Sequence, residues 1–201
     1  MSGWDFESGG SERTVEFTKF AEGITNIRVV DDVPNIRWTH WMPQIKRSVN
    51  CPGKGCPICQ IRSQQKANKM DYTYSMSRRF SLQIINRNTG KLEIMEQGIT
   101  FFEDLRDVRE MLMEDGKTFE DADLIVRRRG SGKDNTSYRI DIGKEKPLSK
   151  EDKDLIANKI DLDEYFKPTT PEQITRLLNG ESWEEVMYED NDENEEDFCL
   201  E

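Results

Sequence analysis

Apolar and polar positions alternate along much of this chain, and the alternation predicts short strands. Residues 14–20 and 24–30 are predicted to form two strands around a turn at Glu22-Gly23. NIRWTHW (35–41) alternates in the same way, and the aromatic run 72–86 is joined by RNTG to the strand 91–96, as in a hairpin. A further strand pair is predicted in ADLIVRRR and SYRIDIG, which are joined by a Gly-rich segment.

A helical period replaces the alternation in three places. Thr100 with Glu103 predicts a capping box, and one apolar face follows it up to Gly116, made of Phe101, Leu105, Val108 and Leu112. The motifs SKED (149–152) and TTPEQ (169–173) begin two more helices. Many short strands with few helices predict a mainly β, α+β fold, namely a small antiparallel barrel or sandwich with appended helices.

Composition limits how much of the chain can form a core. Of 201 residues, 34% are hydrophobic and 34% are charged, which predicts one modest domain, over residues 13–180. Residues 1–12 and 181–201 are expected to be disordered. No apolar run approaches the length of a membrane span, and the N-terminus does not resemble a signal peptide, so we expect a cytoplasmic protein without a membrane partner.

Charge is segregated along the chain behind a net value of −11. Residues 181–201 contain 11 acidic and no basic residues, whereas residues 37–91 contain 11 basic residues and one acidic residue. Residues 127–150 are also basic, with 8 basic and 3 acidic residues, and residues 92–126 are acidic, with 11 against 3. Two basic blocks and an acidic terminus therefore predict a polyanion-binding body with a separate tail.

The single histidine of the chain stands close to three of its four cysteines. Ten residues separate His40 from Cys51, four separate Cys51 from Cys56, and two separate Cys56 from Cys59. Three thiolates and one imidazole are a closed tetrahedral donor set, so we predict one structural Zn²⁺ in the segment 40–60. Free buried cysteines or a redox pair are the alternatives, and Cys199 is expected to be a free thiol of the tail.

Aromatic residues are interleaved with the basic ones. A cationic surface with exposed rings suits single-stranded nucleic acid, because cations neutralise phosphates and rings stack on unpaired bases. The alternative is a solvated charged face whose rings fill the core. The predicted contacts are Arg37, Trp41, Lys46, Arg47, Lys54, Arg62, Lys66, Lys69, Tyr72, Tyr74, Arg78, Arg79, Phe80, Arg127, Arg128, Arg129 and Tyr138, with Trp38, Lys133 and Arg139 in the same two blocks.

The acidic tail allows two interpretations. It is a solubility tail, or it competes with nucleic acid for the basic surface and offers Phe198 and Leu200 to partner proteins. We predict the second, with Glu195, Glu196 and Asp197 in the same partner-binding segment. An enzyme is not expected, because with His40 committed to the metal no histidine remains as a general base. A zinc-ribbon regulator that binds duplex DNA or RNA is the alternative function.

The His-Cys₃ set in an early strand-and-loop region, the basic aromatic blocks and the acidic terminus together resemble a known family. They resemble the zinc-containing, helix-destabilising single-stranded-DNA-binding proteins of T-even and related tailed bacteriophages, over roughly residues 14–201. The resemblance implies an oligonucleotide-binding (OB) barrel with an inserted zinc loop. It also implies binding of single-stranded DNA, docking of replication, recombination and repair proteins on the tail, self-association on DNA, and the cytoplasm of an infected host. Residues 1–12 contain no Lys or Arg, unlike the basic arm of that family.

Overall fold

The computed structural model describes residues 15–132 and 135–192, with side chains as far as residue 187. The described strands are β1 (Glu16–Phe17), β2 (Gly23–Val29), β3 (Asn35–Met42), β4 (Arg47–Asn50), β5 (Ser75–Asn86), β6 (Lys91–Gln97), β7 (Ala122–Arg129) and β8 (Ser137–Glu145). The described helices are α1 (Pro57–Ala67), α2 (Ile99–Glu114), α3 (Lys150–Ile156), α4 (Leu162–Tyr165), α5 (Pro171–Leu178) and α6 (Trp183–Asp192).

The chain divides into two compact units, where the sequence predicts one domain. The sheet unit comprises the described part of Met1–Pro34 together with Ser81–Lys159, and the metal unit comprises Asn35–Phe80 with the described part of Ile160–Glu201. Strand β5 supplies its first half to the metal unit and its second half to the sheet unit. The chain therefore passes from the sheet unit to the metal unit after β2 and returns to the sheet unit within β5.

The sheet unit is built on the strand order β1-β6-β5-β2-β7-β8. The pairs of β2 with β5, β2 with β7, and β7 with β8 are antiparallel, whereas β1 runs parallel to β6. Helix α2 covers one face with the predicted apolar stripe, all four members of which are buried. The predicted α+β fold with mostly antiparallel strands is confirmed, and it is compatible with an OB-like fold.

Two details of the sheet unit differ from the predictions. The strands expected at 14–20 and 24–30 do not pair, because both edges of β2 are occupied by β5 and β7, and the short β1 pairs with β6 instead. The capping box at Thr100 is also wrong, since the N-cap of α2 is Gly98, two residues earlier, and it makes no side-chain hydrogen bond. Ser149 and Asp152 do form the predicted capping box of α3.

The metal unit contains the β3–β4 hairpin, which also pairs with β5, and four helices. Its buried core consists of Met42, Val49, Cys56, Ile58, Ile174, Leu177 and Val186. Thr170 caps α5 as predicted, with Pro171 in its first turn. The sequence predicts disorder from residue 181, but helix α6 begins at Trp183. The helix is ordered there because Val186 is fully buried and Trp183 packs against the same core.

Membrane spans are absent from the described helices. Within residues 15–132 and 135–192, no helix combines the length and the apolar character that crossing a bilayer requires.

Candidate metal centre and nucleic-acid surface

Three neighbouring elements bring the four predicted metal ligands together. His40 lies near the end of β3 and points into the core, fully buried. Cys51 follows β4, and its backbone N–H extends the hairpin by donating to the carbonyl oxygen of Trp38 over 2.8 Å. Cys56 is the N-cap of α1, and Cys59 lies in its first turn. The turns between the cysteines use the left-handed backbone of two glycines, Gly53 and Gly55.

The geometry of the four donor atoms fits one tetrahedral ion. All four lie within 4.8 Å of one another. Nε2 of His40 is 3.5 Å from Sγ of Cys56 and 3.4 Å from Sγ of Cys59, and Sγ of Cys51 is 3.6 Å from Sγ of Cys59. Zinc bonds of about 2.0–2.3 Å require ligand atoms about 3.5–3.8 Å apart at the corners of a tetrahedron. The cluster could therefore bind one metal ion, and its donors are those typical of zinc.

Burial sets the protonation of these groups in the absence of an ion. It raises the pKa of the Cys51 thiol and raises that of Cys59 to about 12, where the neighbouring thiols add to the effect. Burial also lowers the pKa of His40, and the positive charge of Arg62 acts in the same direction. The imidazole is thus held in its neutral, ligating form, while the thiolates need a cation to be stable in this place.

The surroundings of the cluster are largely apolar. His40 and Cys56 are buried, Cys51 and Cys59 are partly buried, and the three cysteines pack with the core residues Met42, Val49 and Ile58 and with side chains of α5 and α6. All four corners of the tetrahedron come from the protein, so no position remains open for a substrate. An ion bound here would therefore hold structure, as closed sites do.

Exposed rings and guanidinium groups lie on the same unit. Trp38, Trp41 and Tyr72 are 46%, 43% and 49% exposed. The guanidinium of Arg78 lies 5.9 Å from the Trp38 ring, and that of Arg62 lies 4.1 Å from the Tyr72 ring. Rings and cations side by side at the surface can stack on bases and neutralise phosphates.

Arg47 and four lysines of the predicted set are exposed on this unit. The lysines are Lys46, Lys54, Lys66 and Lys69. Two of them have left-handed backbone, with φ of 51° at Lys46 and 55° at Lys69. Every other described residue with positive φ is a glycine. Lys46 ends the β3–β4 turn and Lys69 follows α1, where glycine would fit without strain.

Four other predicted contacts of the metal unit have internal partners. Phe80 is only 5% exposed and lies 5.0 Å from the guanidinium of Arg78, so a ring open to bases is not present there. Tyr74 packs against the core, and its carbonyl oxygen accepts a hydrogen bond from Arg62. Arg37 lies over the Phe166 ring at 3.4 Å, and Arg79 is half-buried.

The predicted contacts at β7 and β8 divide between the two faces of the sheet. Arg128 donates to the carbonyl oxygen of Phe20, and Tyr138 packs against Phe20 and Phe101 with ring centroids 5.9 Å and 5.4 Å apart. These two side chains therefore face the core, because α2 packs on that side. Arg127 and Arg129 instead lie on the opposite face and line a cleft, to whose lining Tyr138 also contributes.

Sequence reasoning missed two residues that orient this chemistry. Trp183 lies 5.3 Å from the guanidinium of Arg47, and Asp141 accepts hydrogen bonds from Arg127 and Arg139. Asp141 could have been found from its place two residues after Arg139 on one strand. No sequence signal connects Trp183 to Arg47. The predicted partner-binding residues Glu195, Glu196, Asp197, Phe198 and Leu200, as well as Lys133 and Cys199, lie outside the described residues.

Comparison with known proteins gives a distant relative. The chain is similar to a probable ssDNA-binding protein of Escherichia phage T5, with 26% identity over an alignment of 154 residues that covers 68% of this chain. The matched region spans 58% of the length of that protein. No protein-family model matches the chain, and no solved structure matches it.

Proposed function

We propose that this protein binds single-stranded DNA with little sequence preference and has no enzymatic activity. The observation that carries the proposal is the set of exposed Trp38, Trp41 and Tyr72 rings on the metal unit, two of which have an arginine guanidinium beside them. Rings stack on bases of any sequence, and the cations hold the backbone. The name of the distant T5 relative agrees with this function.

A structural zinc ion on His40, Cys51, Cys56 and Cys59 belongs to the proposal. Its support is the set of donor atoms, together with separations of 3.4–3.6 Å between three pairs of these atoms. When bound, the ion would neutralise the thiolates and link the β3–β4 hairpin to α1. The chain would then be similar in design to the zinc-containing proteins of T-even-like phages. Metal analysis of gently purified protein should give one zinc per chain, and a metal-free sample would contradict the assignment.

The biological setting follows from the same activity. We propose that the protein coats and protects single strands during phage DNA replication, recombination and repair, in the cytoplasm of the infected host, with copies associating along the strand. Partner proteins of these processes would dock on the acidic terminus.

One titration tests DNA binding directly. Tryptophan fluorescence should be quenched by oligo-dT far more than by duplex DNA of equal length, with an affinity that falls steeply as salt rises. Poly-U measures the preference between DNA and RNA. An equal response to duplex would favour the zinc-ribbon regulator, and no response to oligo-dT in dilute buffer would contradict the proposal altogether.

The acidic terminus is proposed to compete for the same surface. Support comes from Arg47, whose guanidinium lies 3.7 Å from the carboxylate of Glu184 at the start of α6. Because Val186 is buried, a truncation should spare α6 and remove only residues 193–201. The shortened protein should bind oligo-dT more tightly at low salt, and the difference should fade as salt screens the tail. Unchanged affinity at low salt would remove the competition.

A further inference from the structure

The β7–β8 hairpin places two arginines directly opposite each other. Arg127 and Arg139 are register partners, and Arg129 is paired with Ser137 one step further along the same face. Like charges directly across an antiparallel pair oppose folding. A sheet selected for stability alone would pair one of these arginines with an acidic or β-branched residue.

The carboxylate of Asp141 accepts a hydrogen bond from the Nε atom of each of the two arginines. Nε of Arg127 donates to Oδ2 of Asp141 over 3.0 Å, and Nε of Arg139 donates to Oδ1 over 2.9 Å. These two bonds lower the pKa of Asp141, with Arg127 as the larger contributor. Both contacts use Nε, and within the described residues the terminal nitrogens of the two groups have no hydrogen bond. They are thus oriented side by side and open to a ligand.

Positive charge exceeds negative charge among the described residues that line this face. A cleft of about 400 Å³ is lined by Arg127, Arg129, Ser137, Tyr138, Arg139 and Asp141. The charged groups among the described lining residues are therefore three guanidinium groups and one carboxylate, and the carboxylate contacts two of the three. The neighbouring Arg128, on the other face, differs from these arginines because it donates a hydrogen bond to the carbonyl oxygen of Phe20 within the sheet unit.

We propose that this cleft is a phosphodiester-binding site of the sheet unit, in which Arg127, Arg129 and Arg139 bind the backbone of single-stranded nucleic acid and Asp141 is a positioning residue. The inference rests on the proposed function and deepens it. Paired guanidinium forks match the geometry of phosphate oxygens, and Ser137 adds a hydroxyl donor. The Tyr138 ring is part of the lining but is held by an edge contact with Phe101, so we assign phosphates rather than stacked bases to this cleft.

The decisive variant is Arg127→Gln with Arg139→Gln, compared with Arg106→Gln with Arg109→Gln. Both pairs remove two positive charges from the sheet unit, but the second pair lies on α2, outside the cleft. At low salt the cleft variant should bind oligo-dT about tenfold more weakly, and its log–log salt slope should fall by about 1.4, or about 0.7 per lost contact. The α2 variant should change affinity less than about twofold. Both variants should keep the melting temperature, since relief of the Arg127–Arg139 repulsion offsets the lost ion pairs.

Asp141→Asn separates positioning from simple charge. Loss of a negative charge alone would tighten DNA binding. Loss of orientation should weaken it about threefold, and the effect should vanish in the Arg127→Gln, Arg139→Gln background. Tighter binding by Asp141→Asn would overturn the positioning role.

Three further outcomes would overturn the site. If wild-type protein binds oligo-dT but the cleft and α2 variants behave alike, the site is wrong while the proposed function stands. If the cleft variant loses binding of inorganic phosphate, measured by calorimetry, but keeps full affinity for oligo-dT, the ligand is a free phosphate and the phosphodiester assignment fails. If wild-type protein does not bind oligo-dT at all, the proposed function fails first and the site fails with it.

Discussion

The two units of this protein hold their cores together in different ways. In the sheet unit, aliphatic and aromatic side chains fill the space between the strands and α2, and Arg28, Arg87, Asp123 and Asp152 form a partly buried ion-pair network. In the metal unit, the buried apolar cluster among the described residues has seven members, and one of them is the predicted ligand Cys56. A small apolar core commonly needs a metal or disulfides to be stable. The sheet unit should therefore fold by itself, whereas the metal unit should depend on the proposed zinc ion.

The largest expected effect is that of metal removal. A zinc chelator, or Cys56→Ser, should unfold the metal unit and leave the sheet unit folded, because closed zinc sites contribute about 10–16 kcal/mol of apparent binding energy in small domains. Hydrogen exchange should show loss of amide protection in β3, β4, α1 and α5, with protection kept in β2, β7 and α2.

Cys199→Ser is the matched control for this experiment, because it removes the one cysteine outside the ligand set. It should change neither metal content nor protection. If the metal-free protein keeps the protection of β3 and α1, the contrast between the units is wrong.

The second effect concerns the ion pairs of the sheet unit. Asp152 is 5% exposed and accepts hydrogen bonds from Arg87, which lower its pKa to about 2. Asp152→Asn should lower the free energy of unfolding of the sheet unit by about 2 kcal/mol at pH 7. Since the folded pKa lies below the ordinary value of 3.8, this contribution is present above about pH 5 and is lost as pH falls toward 2. Hydrogen exchange in β2 and β7 between pH 7 and pH 3 measures it.

Asp154→Asn is the control for this variant, since Asp154 is an exposed residue of the same helix. It should change stability by less than about 0.5 kcal/mol. A loss of stability by Asp152→Asn that does not shrink in acid would show that the Arg87 ion pair is not its cause.

The third effect distinguishes base stacking on the metal unit from phosphate binding in the arginine cleft of the sheet unit. Trp38→Ala and Trp41→Ala should each weaken oligo-dT binding by about 1–2 kcal/mol through lost stacking, with an unchanged salt slope. Variants of the arginine cleft should instead change the slope. Filter binding at four salt concentrations distinguishes the two, and a slope that falls with the tryptophan variants would contradict the assignment of stacking to the metal unit.

The sequence predicted features that depend on local spacing. The strand over 35–41, the hairpin of β5 with β6, the apolar face of α2 and the caps of α3 and α5 all follow from neighbours within a few residues. The His40 and cysteine cluster was also readable, because β3 and β4 are adjacent in sequence and Cys56 and Cys59 share a turn of helix.

Features set by long-range pairing could not be read from the sequence. The partner of β1 depends on which edges of β2 are already occupied, and the direct opposition of Arg127 and Arg139 depends on the register of the β7–β8 hairpin. The face on which Arg128 and Tyr138 lie depends on the position of α2. The acidic composition of α6 predicted disorder. The helix is ordered because buried Val186 and partly buried Trp183 pack against the core of the metal unit.

The smallest expected effect tests two lysines of the metal unit. Lys46→Gly and Lys69→Gly should each raise the free energy of unfolding by about 0.5–1 kcal/mol, because glycine adopts the left-handed backbone without the clash of a β-carbon. Each should also reduce the salt slope of oligo-dT binding by about 0.7, since one phosphate contact is lost. A gain in stability with a loss of binding would give the strained backbone a functional reason.

Lys66→Gly is the matched control, because it removes the same exposed charge from the last turn of α1, where the backbone is helical. It should lower the free energy of unfolding by about 1 kcal/mol, opposite in sign to the other two. Urea unfolding, followed by a probe in the metal unit, measures all three variants under one set of conditions. If Lys69→Gly destabilises the unit as Lys66→Gly does, the left-handed conformation is not the native one. If both left-handed variants bind oligo-dT as tightly as wild type, the strain at these positions has another cause than phosphate contact.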